Sequence, residues 1–414
     1  MKRNIPAIAA TMLLAFASHS NAATNIEWLQ WFAAEQNAEF YETLVDEFEA
    51  QNPDITVKLI TQPFGKVRES IVTNRAIGVG SDVLGLNMPW TSEFLELKIL
   101  EPLDKYLEQD GNGFELEKLV QAPVGKIDGN TWMLPLNAFP FAMHANMTLL
   151  KQAGFDTPPT TWAELKTMAV AISELGEGIS GIGMPFSSQP PSNGPILTFL
   201  PLLYTAGGRI MDGTTPNFDN PQVVETLTFL QDLNVSGAIA PGAASRTGGV
   251  DLEEFIAGRT GFLISPSVHA AAIVSRNSEL EYQLVRVPTL NTKAYRVHGW
   301  ELGIAADSKH KEEAWKFVSF LMSKEVNGRL SVVSSALPGN LEALSDINNS
   351  DPIFVAQREI LENDESVEEL RLAPKAVASW SLMTEEIQSM LAGDQSPEEA
   401  AGRVQLRWLN LIKK

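Results

Sequence analysis

The sequence predicts an α/β protein with more than one lobe. Three observations carry this: strand-like and helix-like segments alternate from residue 26 onward, the 414-residue length suits two or three domains, and a proline-bearing strand-like stretch over 132–141 interrupts the series. In the first unit Ile26, Trp28 and Gln30 begin a strand. Phe40, Tyr41, Leu44, Val45 and Phe48 then fall at helical spacing until "QNPD" (51–54) stops the helix. Ile55, Val57 and Leu59 alternate as a second strand, and after another helical stretch "DVLGL" (82–86) reads as a short buried strand broken by Pro89-Trp90. Such a β-α-β-α-β order predicts helices covering a largely parallel sheet. The segment "WMLPLNAFPF" (132–141) carries two prolines, which a central strand would not tolerate, so it reads as a crossing between lobes.

The first 22 residues stand apart. Lys2 and Arg3 make a basic start, residues 5–17 a short apolar core, and Ser20-Asn21-Ala22 a small-x-small cleavage site, together a secretory signal peptide. The apolar run is too short to span a bilayer, and no later window reaches the ~18 apolar residues required. Cysteine is absent, so a lipid-anchoring cysteine, disulfides, thiol catalysis and Cys-ligated metals are all excluded. Without the leader 392 residues remain and the formal charge falls from −20 to −22, which argues against nucleic acid and anionic lipid as partners.

Several local signals define elements. In "AGFDTPPTTWAEL" (153–165), Gly154 suits the left-handed end of a short helix over 146–153, and Pro158 and Pro159 fix φ. Thr161 and Glu164 form a capping box, after which Leu165, Met168, Ala169 and Ile172 recur at helical spacing. The stretch is therefore a rigid elbow between two helices. Further helices are read over 221–234, ending before Gly237, and over 311–323, with acids in the first turn. A final one opens at the capping box Ser396-Pro397-Glu398-Glu399 and runs to Lys413-Lys414. Breaks between elements are short and no repeat is found, so the lobes are interlaced along the chain.

Catalytic and metal-binding motifs are missing. His144, His269, His298 and His310 show no ligand spacing, and "DGNGFELEKLVQ" (110–121) fails as a calcium loop at Phe114, Glu115 and Gln121. Neither a G-x-S-x-G elbow nor a phosphate-cradling G-x-x-x-x-G-K occurs. The 51 acids permit a paired-carboxylate enzyme, but no spacing singles out two of them. Tryptophans say more. Trp28, Trp132, Trp162 and Trp315 sit within or at the start of elements, as core residues do. Trp31, Trp90, Trp300 and Trp380 sit beyond strand ends or at breaks, where an α/β crevice takes its ligand. An indole face edged by amides and carboxylates suits a sugar ring, with structural packing as the competing reading of each.

With these residues in view, the chain resembles the extracellular solute-binding proteins of bacterial ABC transporters, in the carbohydrate-binding family that includes maltose-binding protein. The elbow is that family's most recognisable stretch. "FEAQNPDITVKL" (48–59), "GSDVLGL" (80–86), "LEPLDKYL" (100–107), "DGNTWMLPL" (128–136), "FIAGRTGFLIS" (255–265) and "GIAADSKHKEEAWKFVSFL" (303–321) match in order along nearly the whole chain. The resemblance implies a two-lobe periplasmic binding protein fold, with a hinge and a ligand cleft between the lobes. Residues 23–136, completed by about 300–345, would form the N-terminal lobe, and 137–299, completed by about 346–414, the other.

Ligand positions carry over residue by residue. Trp380, in "VASWSLM", falls where the family stacks a Trp on its sugar; Asn87 and Trp90 lie at the cleft end of the third strand, and Gln30 and Trp31 in the loop after the first. Phe139 replaces a sugar-binding acid, His269 lies in the region of another stacking Trp, and Trp300 and Glu301 follow His298-Gly299 where many members have paired glycines. The implied function is a non-catalytic periplasmic sugar-binding protein. It would need no cofactor, act as a monomer, and deliver its sugar to an inner-membrane ABC permease. The rivals are a secreted carbohydrate-active enzyme and a receptor for an anionic solute such as a glycerophosphodiester. The latter is disfavoured by 31 Lys plus Arg against 51 acids with no Arg cluster.

Overall fold

A computed structural model describes residues 23–109, 111, 114–120, 125–189, 194–347 and 350–413; the proposed leader, 1–22, lies outside the described residues. The strands that matter here are, in chain order, β1 (Thr24–Gln30), β2 (Ile55–Thr61), β3 (Val83–Asn87), β4 (Leu134–Pro135), β5 (Asn137–Asn146) and β6 (Ser180–Gly183). They continue as β7 (Thr260–Pro266), β8 (Tyr282–Val285), β9 (Ala294–His298), β10 (Trp300–Ile304), β11 (Leu337–Pro338) and β12 (Glu365–Val367).

Hydrophobic periodicity builds the first lobe as expected. The helix Ala38–Gln51, capped by Asn37 accepting from the Phe40 amide, buries Tyr41, Leu44, Val45 and Phe48. Asn52 and Pro53 end it, and β2 follows with Ile55 and Val57 inward. Strand β1 runs parallel to both β2 and β3. β10 then joins antiparallel to β3, with Trp300 opposite Asn87, and β4 closes the five-stranded sheet in the order β2-β1-β3-β10-β4. Its core packs Trp28 against Tyr41 and Phe317, all buried.

The second sheet has the order β12-β9-β5-β7-β6, with β8 and β11 also pairing to β5. Here the structure departs from the sequence reading twice. Strand β5 is the centre of this sheet and contains Pro140, although the two prolines of 132–141 suggested that no central strand could lie there. The ladder with β7 begins only at Phe141, and that with β9 has just two residue pairs, Val297 with Pro140 and His298 with Phe139. Pro140 thus sits where few bonds are asked of its missing N–H, and its carbonyl still accepts from the Ser267 amide. The sheets are also mixed and not largely parallel, because strands returning from the other lobe, β5 and β10, enter antiparallel.

The chain passes between sheets at Leu136, between β4 and β5, and at Gly299, between β9 and β10. A third passage lies between β10 and β11, which pairs with the start of β5. Backbone bonds lash these passages together: the Leu136 amide donates to the Trp300 carbonyl at 2.7 Å, and the Gly339 amide donates to the Leu136 carbonyl at 3.3 Å. Asn327 donates to the Leu136 carbonyl through Nδ2 and accepts from the Asn340 amide through Oδ1.

The elbow is seated on the second lobe. Thr161 Oγ1 accepts from the Glu164 amide at 3.2 Å, while Glu164 Oε2 accepts from the amides of Thr161 and Thr160 and from the Thr160 hydroxyl. Gly154 adopts φ +89°. Trp162 stacks on Phe229 at 4.4 Å and donates its indole N–H to Thr205. The second capping box, Ser396 with Glu399, opens the helix Pro397–Leu411.

Candidate functional site

The site begins where the N-terminal sheet runs out toward the other lobe. Gln30 ends β1 and is buried; its Nε2 donates to Thr61 Oγ1 at 2.8 Å and its Oε1 accepts from the Ala33 amide at 2.9 Å, so both ends of the amide brace the turn after β1. That turn projects Trp31 and Phe32. Asn87 ends β3, and the short helical turn Met88–Trp90 carries Trp90 beside Trp31, ring centroids 5.4 Å apart. From β10, Trp300 lies flat on Phe32 at 4.7 Å and 12°, and meets Trp31 edge-on at 6.2 Å. Phe64 stacks on Trp90 at 5.5 Å and 20°.

These tryptophans do not present open faces as the sequence suggested. Trp31, Trp90 and Trp300 are 1%, 3% and 5% exposed. Contacts between the lobes help to explain this burial. Phe139, at the start of β5, meets Trp300 edge-on at 6.0 Å, and the Trp300 amide donates to Asn137 Oδ1. Asn87 Nδ2 lies 2.9 Å from His298 Nε2, and the Ala376–Leu391 helix, which carries Trp380, packs against the Met88–Trp90 turn. At the mouth, Lys375 approaches Glu96 at 3.3 Å beside a crevice lined by Arg68, Pro89 and Glu93.

Behind the aromatic cluster lies a buried polar layer. Glu301 is fully buried, and Arg371 donates to its Oε1 at 2.5 Å. Burial raises the Glu301 carboxyl to about 7 even though Arg371 pulls it the other way. His298 is held well below the usual imidazole value, first by burial and then by the charges of Arg296 and Arg371. Arg296, two residues back on the same face of β9, is 1% exposed and lies over the Phe141 ring at 4.4 Å.

Of the residues singled out in the sequence, Trp31, Trp90, Phe139 and Trp300 are therefore joined by ring contacts, with Asn87 beside them through His298. Gln30 braces the turn beneath them, and Glu301 lies in the adjoining polar layer. Trp380 joins the apolar core of the second lobe, 3% exposed, with its indole N–H unpartnered among the described residues. His269 takes part in none of these ring contacts; its Nδ1 lies 3.1 Å from Ser265 Oγ, and burial lowers it to about 4. Phe32, Phe64, Arg296, His298 and Arg371 were missed. For Arg296 and His298 the R-x-H alternation of β9 was the available signal, since residues two apart share a strand face.

Among the described residues no group of three or more His, Asp or Glu is placed to hold a metal ion, and no helix is long and apolar enough to cross a membrane.

Residues 33–328 match the family model of the bacterial extracellular solute-binding protein. The chain belongs to this family. A binding protein of Brucella abortus is 28% identical over 354 residues, which cover 83% of this chain and 84% of the relative. The maltotriose-binding protein of Pyrococcus abyssi is 24% identical over 76% of this chain and 66% of its own length. Among solved structures, a Thermotoga lettingae ABC transporter solute-binding protein bound with alpha-D-tagatose superposes with a TM-score of 0.85 at 21% identity, over 94% of this chain and all of the other. A Listeria monocytogenes substrate-binding protein in complex with cycloalternan gives 0.82 at 22% identity, over 94% and 99%. The fold is accordingly that of a two-lobe solute-binding protein, and the family and these relatives are binding proteins, not enzymes.

Proposed function

We propose that this solute-binding protein captures a sugar between its lobes and delivers it to the membrane permease of an ABC importer, without catalysis. The observation that carries the reading is the cluster of Trp31, Trp90 and Trp300 at the strand ends of one lobe, directly against Phe139 and the helix bearing Trp380 on the other. Flat apolar rings beside a buried polar layer suit a molecule with C–H faces and a hydroxyl rim. The sugars named for the relatives agree with that chemistry. In this reading, Trp31, Trp90, Phe139, Trp300 and Trp380 supply apolar surface, and Asn87, Glu301 and His269 polar contacts, with Gln30 bracing the loop. The lobes are 23–136 with about 300–345, and 137–299 with about 346–414. Residues 1–22 act as a cleavable export signal, which places the mature monomer in the periplasm.

A thermal-shift screen of the mature protein against a sugar library tests this. A sugar at a hundred times its dissociation constant stabilises by about 2.7 kcal/mol. A library that produces no shift, while non-sugar solutes such as amino acids do, would overturn the sugar reading.

A further inference from the structure

The polar layer holds open donors and open acceptors side by side. All three guanidinium nitrogens of Arg296 are buried without a hydrogen-bond partner among the described residues. So is His298 Nδ1, while Nε2 faces Asn87. Two carboxylate oxygens are equally unpartnered, Oε2 of Glu301 and Oε2 of Glu368. The other oxygen of each is engaged: Glu301 Oε1 accepts from Arg371, and Glu368 Oε1 accepts from the amides of Leu370 and Arg371.

These groups are neighbours. Arg296 pairs with Val367 across β9 and β12, and Glu368 is the next residue. Burial lowers the Arg296 guanidinium from its ordinary value, and the negative charge of Glu368 works against that. Glu368 likewise pushes up the carboxyl of Glu301. Yet no hydrogen bond joins Arg296 to either carboxylate. The guanidinium carbon lies 4.4 Å from the Phe141 ring centroid, a cation–π contact that uses none of its N–H groups in a hydrogen bond.

A buried, unpaired guanidinium is strongly unfavourable, and so is a buried carboxylate oxygen without a donor. The ligand that relieves both must donate and accept at once. A carboxylate or phosphate only accepts, and would face Glu301 and Glu368 as like charge; an ammonium only donates, and would face Arg296. A hydroxyl does both. We propose that Arg296 and Glu368 form a charge-compensated grip for adjacent hydroxyls of a neutral sugar, Arg296 donating to their oxygens and Glu368 accepting hydrogen bonds from their O–H groups. His298 and Glu301 extend the same donor–acceptor set. The assignment rests on the sugar reading and narrows it, since it makes the site selective against acidic sugars and sugar phosphates.

Isothermal titration of the mature protein tests it, with maltose, trehalose, D-tagatose and D-mannitol as neutral probes and D-glucuronate and sn-glycerol 3-phosphate as acidic ones. At least one neutral probe is expected to bind, with each acidic probe at least tenfold weaker. Glu368→Gln, isosteric at a half-buried position, is expected to remain folded and lose at least tenfold in affinity for that neutral probe. Arg296→Met is expected to do the same where circular dichroism shows it folded; where it does not fold, the Glu368→Gln result decides. Tighter binding of D-glucuronate than of every neutral probe would overturn the grip and leave the sugar reading standing, and wild-type neutral affinity in folded Glu368→Gln would do likewise. No binding of any probe overturns both.

Discussion

Trp380 and Trp300 approach the same interface from different lobes, and they answer truncation differently. Trp300 already has one face against Phe32, so Trp300→Ala removes internal packing as well as ligand surface. Trp380 lies in the second core but keeps an unpartnered indole N–H. Truncating a buried aromatic costs about 3–5 kcal/mol of stability. An interface aromatic typically costs at least ~2 kcal/mol of binding, roughly thirtyfold in affinity. Folded Trp380→Ala is therefore expected to bind its sugar about thirtyfold more weakly by isothermal titration. Trp315→Ala, which removes a buried ring stacked on Tyr106, is expected to lower the melting temperature while the folded fraction binds normally. Parental affinity in folded Trp380→Ala would remove this residue from the site.

Glu301 gives the same scale a pH signature. Its folded value, about 7, stands above the ordinary 4.5, so the folded protein holds the proton more tightly than the unfolded chain. That contribution to stability is fully present below about pH 4.5 and is lost as the pH rises through 7. The Arg371 side chain beside it opposes the rise and limits the loss. In Glu301→Gln the group cannot titrate. Urea midpoints between pH 5 and pH 8 should therefore fall less steeply in Glu301→Gln than in the parent, and parallel curves would show that Glu301 does not titrate there.

At the scale of elements, the elbow over 153–165 is a bracket. Its capping box is complete, and Trp162 ties the following helix to Phe229 and Thr205. Thr161→Ala removes one cap bond while Glu164 keeps its bonds to Thr160, so the loss is about 1 kcal/mol. Urea denaturation should register that loss and titration should show unchanged sugar affinity. A large affinity loss at constant stability would move the elbow into the site. Strand β5 teaches a different lesson. Its proline is legible in the sequence, but its tolerance depends on which neighbours pair at Pro140, and those lie more than a hundred residues away.

For the whole molecule, the passages at Leu136 and Gly299 stand beside a third ahead of β11, and the lobes meet through Asn87 with His298, Glu301 with Arg371, and Lys375 with Glu96. The exposed Lys375–Glu96 pair contributes little by itself, in the range of 0–1 kcal/mol for surface pairs. The buried contacts carry the closure, and a ligand touching both lobes shifts the balance between open and closed arrangements. Small-angle scattering is expected to give a smaller radius of gyration once a sugar proven to bind by titration is added. Superimposable profiles would rule out hinge closure.

The sequence by itself determined the α/β class, the ends of the main helices, both capping boxes and the family resemblance. All of these depend on neighbours within a few residues, or on patterns that survive in order along the chain. Tryptophans near strand ends were legible for the same reason. Only the tertiary structure decided that Trp31, Trp90 and Trp300 pack on one another, that Gln30 is used up in bracing a turn, and that Arg296, His298 and Glu301 share a layer with Glu368 and Arg371. These groups come from segments far apart in the chain, and an arginine or glutamate looks the same in sequence whether solvated or buried. What distinguishes them is the absence of water and of partners around their polar atoms, a property of packing between lobes that no local pattern records.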